Sequence, residues 1–266
     1  MTDMQSSNEI SNEAVRSQFA RHAKKYETSR VHAQGEDLKW IVELAALTGR
    51  ERVLDVGTGT GHTAMTLSNG ARTVMGVDLT ARMVESATSL AEERGLVNVQ
   101  FILSDVIQMP FPSDYFDLVT CRLAAHHFVD PDVAVAEVAR VLKPGGRVIL
   151  VDHIAPENTK LDRFINQLDR LRDGSHVREW TIQEWLERLG SAAVDAEAVR
   201  RWHLPLDFAW WIQQSGPTED RFLEIVQMLQ NADDETRDAF HIRMGNDGQP
   251  VGFSLQCAMI QGVKRA

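Results

Sequence analysis

The sequence predicts an α/β fold with a mostly parallel sheet, and two observations carry that prediction. In the stretch 53–64, VLDVGTGTGHTA, an apolar run leads through three alternating glycines into a helical pattern. After it, short apolar runs alternate with amphipathic helical segments as far as residue 151. This order implies right-handed crossovers between parallel strands, and ligands of such sheets bind at the carboxyl ends of the strands.

The glycine turn predicts a close approach between a ligand and the backbone. Gly57, Gly59 and Gly61 carry no Cβ, and the helix that follows offers free N–H groups to an anionic group. The spacing is G-x-G-x-G, whereas a dinucleotide turn has G-x-G-x-x-G, which disfavours a nicotinamide dehydrogenase. Asp55, two residues before the first glycine, is a candidate for holding an ammonium group, directly or through water.

The remaining elements follow from apolar periodicity and from Gly and Pro signals. Before and within the predicted sheet, we expect helices over 12–29 and 35–47, a strand from 52, a helix from 62, and then a strand–helix alternation: strand 73–77, helix 81–94, strand 99–103, strand 116–121, helix 131–142 and strand 147–151. Beyond residue 155 we expect helices over 159–171, 208–211 and 221–229, a short helix carrying Trp180 and Trp185, a strand over 194–206 and a terminal hairpin over 240–263 that turns at 246–248.

Composition limits the partners. The chain has 28 Lys and Arg against 38 Asp and Glu, a net charge of −10, which disfavours a nucleic-acid partner. No apolar stretch reaches about 18 residues, so no membrane span is predicted. The polar, acidic start of the chain lacks the apolar core of a signal peptide. The two cysteines, Cys121 and Cys257, lie in apolar runs and read as buried thiols of a cytoplasmic protein.

Five stretches in order carry a family resemblance: VRSQFARHAKKY (15–26), VLDVGTGTGHTA (53–64), GVDLTARMVESA (76–87), SDVIQMPFPSDYFDLV (104–119) and EVARVLKPGGRVILVD (137–152). Together they resemble the class I S-adenosylmethionine-dependent methyltransferases, in the small-molecule branch typified by ubiquinone/menaquinone-biosynthesis C-methyltransferases (methyltransferase type 11). Uncharacterised bacterial members of that branch are similar over nearly the full length. The resemblance implies a Rossmann-like, seven-stranded, mostly parallel sheet with helices on both faces. The sixth and seventh strands of that sheet form a hairpin, in which the seventh lies antiparallel between the fifth and sixth.

The resemblance also implies a division of the chain. Residues 1–11 are expected to be a disordered leader, 12–48 lid helices, 49–154 the cofactor-binding core, 155–190 a cap insertion, and 191–266 the rest of the sheet with a helical insertion. The helical cap would lie over the C-terminal strand edge, and such segments select the acceptor. Five of the six tryptophans fall in the lid and cap, where core packing or an aromatic acceptor pocket would explain them.

The cofactor implied is S-adenosylmethionine, with S-adenosylhomocysteine as product. Asp78 follows the second strand, where an acid can accept hydrogen bonds from both ribose hydroxyls. By resemblance, the adenine lies between Leu79 and Met83, its amino group donates to Asp105 and the N–H of Val106 donates to its ring. Thr58 belongs to the glycine turn, and Tyr26 reaches the cofactor from the lid. A docking helix remains the alternative for Tyr26, and a core residue for Met83.

Methyl transfer from a sulfonium requires alignment of two partners, and a base is needed only where the acceptor begins protonated. Histidine suits that task because its pKa lies near neutrality. His126, His153 and His176 are the candidates, and Arg122 is expected to bind cofactor, to hold an acidic acceptor or to pair with Asp152. The histidines and acids lie in separate loops without metal-ligand spacing, so no metal site is predicted.

A small-molecule acceptor is the prediction that these patterns favour, with a quinone-like or phenolic ring suggested by the neighbouring family. The accepting atom, O, N or C, stays open, as does the oligomeric state. Two alternatives also stay open: a protein or RNA methyltransferase, and a protein that binds S-adenosylmethionine without transferring a methyl group.

Overall fold

The computed structural model describes residues 12–13, 16–19 and 35–266. Residues 12–13 and 16–19 are helical. The strands that follow are β1 (Arg52–Val56), β2 (Thr73–Asp78), β3 (Val99–Leu103), β4 (Phe116–Arg122), β5 (Leu142–His153), β6 (Val194–Asp207), β7 (Arg243–Met244) and β8 (Pro250–Lys264). The helices from residue 36 onward are α1 (Glu36–Ala45), α2 (His62–Ser68), α3 (Ala81–Glu93), α4 (Pro131–Val141), α5 (Thr159–Arg172), α6 (Ile182–Ser191), α7 (Phe208–Ser215), α8 (Glu219–Gln230) and α9 (Asp234–Ala239).

The strands form one sheet in the order β3-β2-β1-β4-β5-β8-β6, with β7 paired to β8. The first five are parallel, and β8 lies antiparallel between β5 and β6. The predicted α/β fold and its antiparallel final strand are confirmed. Strand order reverses between β1 and β4, which is where open α/β sheets bind ligands.

Two details differ from the prediction. The terminal hairpin has a first arm of only two residues, β7, which adds an eighth strand to the seven expected. In addition, β5 begins at Leu142 rather than at Arg147, because residues 143–146, between the predicted helix and strand, belong to the strand. The register between β4 and β5 shifts at that point, and Gly145 adopts a φ of +73° there.

The two faces of the sheet are buried by different helices. Successive side chains of β1 point to opposite faces, so Val53 packs in one apolar cluster and Leu54 in the other. Helices α1, α2 and α3 cover the face of Val53, whereas α4 and α6 cover the face of Leu54. Both cysteines are buried and free, as predicted. Among the residues described, no helix has the length and apolar character needed to cross a membrane.

A third apolar cluster forms a cap beyond the sheet. Helices α5, α7 and α8 pack on the N-terminal half of β8, where Phe253 and Leu255 are almost fully buried. Asp207 caps α7 by accepting a hydrogen bond from the N–H of Trp210 at 2.8 Å. The side chains of Thr181 and Glu184 form a capping box that begins α6. These side-chain bonds determine where α7 and α6 begin.

Candidate functional site

The glycine turn between β1 and α2 is held by positive backbone angles and close packing. Gly57, Gly59 and Gly61 have φ values of +62°, +53° and +82°, which favour glycine. A Cβ on Gly57 would lie 2.5 Å from the Cβ of Ala124, and one on Gly61 would lie 2.6 Å from the ring of Phe101. A Cβ on Gly59 would meet no atom within 4 Å, so this residue borders open space. The turn therefore leaves room for a ligand beside its middle glycine.

A cleft opens at this turn, along the carboxyl ends of β1, β2, β3 and β4. Asp78 accepts hydrogen bonds there from the N–H groups of Gly59, at 2.8 Å, and Thr80, at 2.9 Å. Asp105 accepts from the N–H of Ile107 at 3.2 Å and from the Asn12 amide at 3.1 Å. Nine of the predicted cofactor residues line this cleft: Gly57, Thr58, Gly59, Asp78, Leu79, Met83, Asp105, Val106 and Arg122.

Asp55 lies beneath the turn rather than among the lining residues. One of its oxygens accepts a hydrogen bond from Thr58, and the other accepts one from Thr120, both at 2.7 Å. Burial raises the pKa of this carboxyl to about 6, against the opposing effect of the two hydroxyl groups. In this arrangement Asp55 fixes the glycine turn from below. Gly61 likewise packs away from the cleft, and Tyr26 is outside the described residues.

Arg122 has a different partner from the one suggested by sequence. Its guanidinium binds both oxygens of Asp37 on α1, with N–O distances of 2.5 and 3.0 Å. Both side chains are buried. The suggested pairing with Asp152 is wrong, because Asp152 accepts instead from the backbone and ring of His126. Arg122 thus ties α1 to the end of β4 while its side chain borders the cleft.

A second cavity meets the cleft at three shared residues, Phe19, Leu123 and His127. Two predicted histidines, His126 and His153, line the second cavity. The rest of its wall combines apolar side chains with a few polar ones: Arg172, Asp173, Leu204, Leu206, Trp210, Trp211, Gln214 and Leu255. The cleft and the second cavity are therefore neighbouring compartments.

His126 is the best-oriented base candidate on this wall. Its Nδ1 lies 2.7 Å from Oδ1 of Asp152, and its N–H donates to Oδ2 at 2.9 Å. Because a carboxylate can only accept, Nδ1 carries the proton and Nε2 is left to exchange one. Burial opposes a charged ring, yet the attraction of Asp152 prevails and raises the pKa of His126.

His127 lies at the same sheet edge but is not among the three histidines selected from the sequence. Its Nδ1 lies 2.9 Å from the carbonyl oxygen of Ser175, and its ring meets Phe19 edge-on at 4.9 Å between centroids. Burial lowers its pKa to about 4, so the ring is neutral near pH 7. The adjacent pair of histidines after β4 was the available signal, but only the fold determines which ring reaches both cavities.

His153 and His176 have different positions. Burial lowers the pKa of His153 to about 4, and the ring stacks on His126 at 5.2 Å between centroids while lining the second cavity. His176, in the α5–α6 connection, lines neither cavity, because its Nε2 is held at 3.1 Å by Oδ1 of Asn166 on α5. The structure therefore places His176 behind the wall and not, as expected, facing an acceptor.

Comparisons with known proteins agree with this architecture. A family model described as "Methyltransferase domain" matches residues 54–150. The uncharacterized methyltransferase YcgJ of Bacillus subtilis is 45% identical over 247 residues, which cover 93% of this chain and 98% of that protein. Its crystal structure superposes with a TM-score of 0.84 over 86% of this chain and 98% of that one.

Two further methyltransferases are similar to this chain over different shares of its length. A putative methyltransferase structure from Bacillus halodurans has a TM-score of 0.84 at 35% identity, covering 87% of this chain and 100% of that one. The demethylmenaquinone methyltransferase of Thermus thermophilus is 37% identical over 144 residues, which are 52% of this chain and 65% of that protein. This chain belongs to the class I S-adenosylmethionine-dependent methyltransferases of the ubiquinone/menaquinone-biosynthesis (UbiE-like) type, and S-adenosylmethionine is its cofactor.

Proposed function

We propose that this enzyme methylates a small-molecule acceptor bound in the second cavity. The observation that carries the proposal is the junction of the two compartments at Leu123 and His127. A methyl donor in the cleft and an acceptor in the second cavity would meet at that junction. Cap residues of α7 form one wall of the cavity, and a concave, walled site supports an acceptor of small size over a protein or an RNA chain.

The cleft supports a specific binding mode for the cofactor. Asp78 would accept the ribose hydroxyls, Leu79 and Met83 would enclose the adenine, and Asp105 would accept from its amino group. The turn at Gly59 leaves open space beside the backbone, which fits a ligand of this kind. S-adenosylmethionine supplies the electrophilic methyl group on its sulfonium. The chain's own contribution is to align this group with the acceptor and to exclude water.

The lining of the second cavity supports a planar, partly apolar acceptor such as a phenol or a quinone-derived ring. Leu204, Leu206 and Trp210 provide apolar and aromatic surface, and histidines add polar groups to the lining. The similarity to a demethylmenaquinone methyltransferase supports the same acceptor class. An acceptor of this class carries an acidic O–H or an enolisable carbon, so it requires a base.

His126 would be that base. Nε2 would take the proton from the acceptor as the new bond to the methyl group forms. Asp152 would keep the ring in the required tautomer and stabilise the imidazolium. His127 would position the acceptor at the junction with its unprotonated Nε2. His153 would border the acceptor from the end of β5.

The test is transfer of isotope-labelled methyl from S-adenosylmethionine to a panel of phenols, hydroquinones and 1,3-dicarbonyl compounds. We expect label in the low-mass fraction together with S-adenosylhomocysteine. His126→Gln should lower turnover by about 100-fold or more, the lower bound for loss of a general base, with an unchanged cofactor Kd. The control is His241→Asn, because His241 is exposed and lines neither cavity.

Each other outcome has a defined meaning. Label found in protein or RNA of a cell extract, with none in small molecules, would replace this proposal with a macromolecular acceptor. Cofactor binding with no transfer to any acceptor class would favour a binding protein. Equal turnover by His126→Gln and the parent enzyme would remove His126 as the base but leave the acceptor cavity in place.

A further inference from the structure

Beside the second cavity lies a buried group of four carboxyl side chains, of which the methyl-transfer proposal uses only Asp152. Asp152, Asp169, Asp173 and Glu179 are each exposed by 2% or less. Most of them have partners: Asp152 binds His126, Asp173 accepts from Ser175, and Arg172 lies 3.4 Å from Asp169. Charged groups this deeply buried require such compensation.

Glu179 is the exception. Its side chain is fully buried, and neither carboxyl oxygen has a hydrogen-bond donor among the described residues. The nearest basic atom is Nδ1 of His153, at 3.8 Å, which is too long for a hydrogen bond. Oδ1 of Asp169 also lacks a hydrogen-bond donor in the described part of the chain. Asp169 and Glu179 lie within hydrogen-bonding reach of each other, and Arg172, 3.4 Å from Oδ1 of Asp169, balances only one of the two charges when both carboxyl groups are ionised.

Two histidine–carboxylate groups share His153, and they differ in how many of their carboxylate oxygens accept hydrogen bonds. In the first, formed by His126, Asp152 and His153, both oxygens of Asp152 accept hydrogen bonds. In the second, formed by His153, Asp169 and Glu179, the ligand-type atoms all lie within 4.8 Å of one another and the oxygens named above have no donor. The second group thus has two carboxyl groups against the single charge of Arg172 among the side chains described.

We propose that His153, Asp169 and Glu179 bind a divalent transition-metal cation. One imidazole nitrogen and two carboxylates suit ions of the Mn²⁺-to-Zn²⁺ series, whereas Mg²⁺ and Ca²⁺ prefer oxygen ligands alone. Only small side-chain shifts separate atoms within 4.8 Å from a shared coordination sphere of ligands at about 2.0–2.2 Å from the ion.

The consequence concerns His153, which borders the acceptor cavity on one side and this group on the other. Asp169 and Glu179 do not line the cavity, so the cation would lie behind its wall. It would neutralise the buried carboxylates and fix the orientation of the His153 ring. Its role would be to position the acceptor wall, and methyl transfer itself would not pass through it.

The experiment uses the full chain after removal of metals with a chelator. Zn²⁺, Mn²⁺ and Mg²⁺ are titrated separately by calorimetry, and Co²⁺ serves as a spectroscopic probe of the ligands. We expect one equivalent of Zn²⁺ or Co²⁺ to bind, Mg²⁺ to bind far more weakly, and the visible bands of Co²⁺ to change. Glu179→Gln should weaken Zn²⁺ binding at least 100-fold, and Glu157→Gln, an exposed residue nearby in sequence, should leave it unchanged.

Thermal unfolding checks that each variant is folded, and Asp169→Asn replaces Glu179→Gln if that variant is not. The competing explanation is a proton shared between Asp169 and Glu179, which would keep Glu179 neutral. Absence of stoichiometric Zn²⁺ or Co²⁺ binding, or equal binding by the parent chain and the folded variant, would overturn the metal site in favour of that proton. Since no acceptor is used, this result is independent of the methyl-transfer proposal.

Discussion

The cofactor cleft and the second cavity meet at the same sheet edge but are built in different ways. The cleft depends on backbone: three glycines with positive φ, and a carboxylate held by two backbone N–H groups. The cavity depends on side chains from the ends of β4 and β5, the α5–α6 connection, β6, α7 and β8. One compartment should therefore be broken by adding atoms, and the other by removing or exchanging side chains.

The largest effect on cofactor binding is expected from adding one methyl group to the cleft wall. Gly57→Ala introduces a Cβ 2.5 Å from Ala124 and forces alanine into a φ of +62°. Because the turn must shift, the Kd for S-adenosylhomocysteine should rise by about 100-fold or more, equivalent to about 2.7 kcal/mol. Titration calorimetry measures this change.

Gly145→Ala is the matched control for this prediction. Gly145 has a φ of +73° but no atom within 4 Å of an added Cβ, and it is exposed. The control therefore carries the backbone strain, about 1–2 kcal/mol of stability, without the collision. Similar losses of cofactor affinity in both variants would show that general strain, and not the shape of the turn, limits binding.

The second prediction concerns Asp55, which supports the glycine turn from beneath and does not line the cleft. Its pKa is about 6 in the folded chain and 3.8 in the unfolded one, so between these pH values the folded state holds a proton that the unfolded state has lost. The free energy of unfolding that this group contributes is therefore fully present below pH 4. It falls by about 3 kcal/mol as the pH rises from about 4 to above 6. Asp55→Asn cannot titrate and should lack that fall.

Urea unfolding of both proteins from pH 4 to pH 7 measures the difference directly. The free energy of unfolding of the parent, minus that of Asp55→Asn, should decrease across the range. Parallel profiles would mean that Thr58 and Thr120 hold Asp55 as an anion. In that case a fixed negative charge would lie beneath the turn, and Asp55 could hold an ammonium group through water, as its position in the sequence suggests.

The same contrast explains what sequence could predict. The glycine turn and Asp78 lie within one strand–turn–helix unit and the strand after it, so local spacing was enough to place them together. The cavity joins His126 to Arg172 and Trp210, residues separated by long stretches of chain, and no local pattern encodes that contact. For this reason the prediction selected His176, which turns toward Asn166, and passed over His127.

The partner of Arg122 shows the same limit. Its position at the end of β4 was predictable, but Asp37 reaches it from α1 across the sheet edge. The buried Glu179 could not be recognised either, because its isolation follows from the packing around it and not from its neighbours in sequence. Tertiary burial, rather than residue type, determined these roles.

The third prediction sharpens the assignment of Asp78. In Asp78→Asn, the side chain keeps one acceptor oxygen but loses its charge. The binding free energy of S-adenosylhomocysteine should therefore weaken by about 1.5–3 kcal/mol, the range for hydrogen bonds to a charged group, and the Kd should rise accordingly. Asp195→Asn, an exposed residue whose nearest charge is Arg265 at 3.6 Å, should leave the Kd unchanged.

A cofactor analogue distinguishes direct contact from an effect on the turn. The 2′-deoxy form of S-adenosylhomocysteine should bind the parent more weakly than the normal form. Asp78→Asn should discriminate less between the two, because the lost hydroxyl was its partner. Equal discrimination by both proteins would mean that Asp78 acts only through its bonds to Gly59 and Thr80.

The smallest effect is expected from the apolar wall of the cavity. Trp210→Leu keeps an apolar side chain but removes aromatic surface, so binding of an aromatic acceptor should weaken by about 0.5–1.5 kcal/mol. We expect KM for that acceptor to rise accordingly, while kcat and the cofactor Kd stay unchanged. Trp180→Leu is the control, because Trp180 packs against Arg188 outside both cavities. A fall in kcat at constant KM would instead mean that Trp210 aligns the acceptor for transfer, so that side chains of the cap shape the reaction itself and not only the affinity.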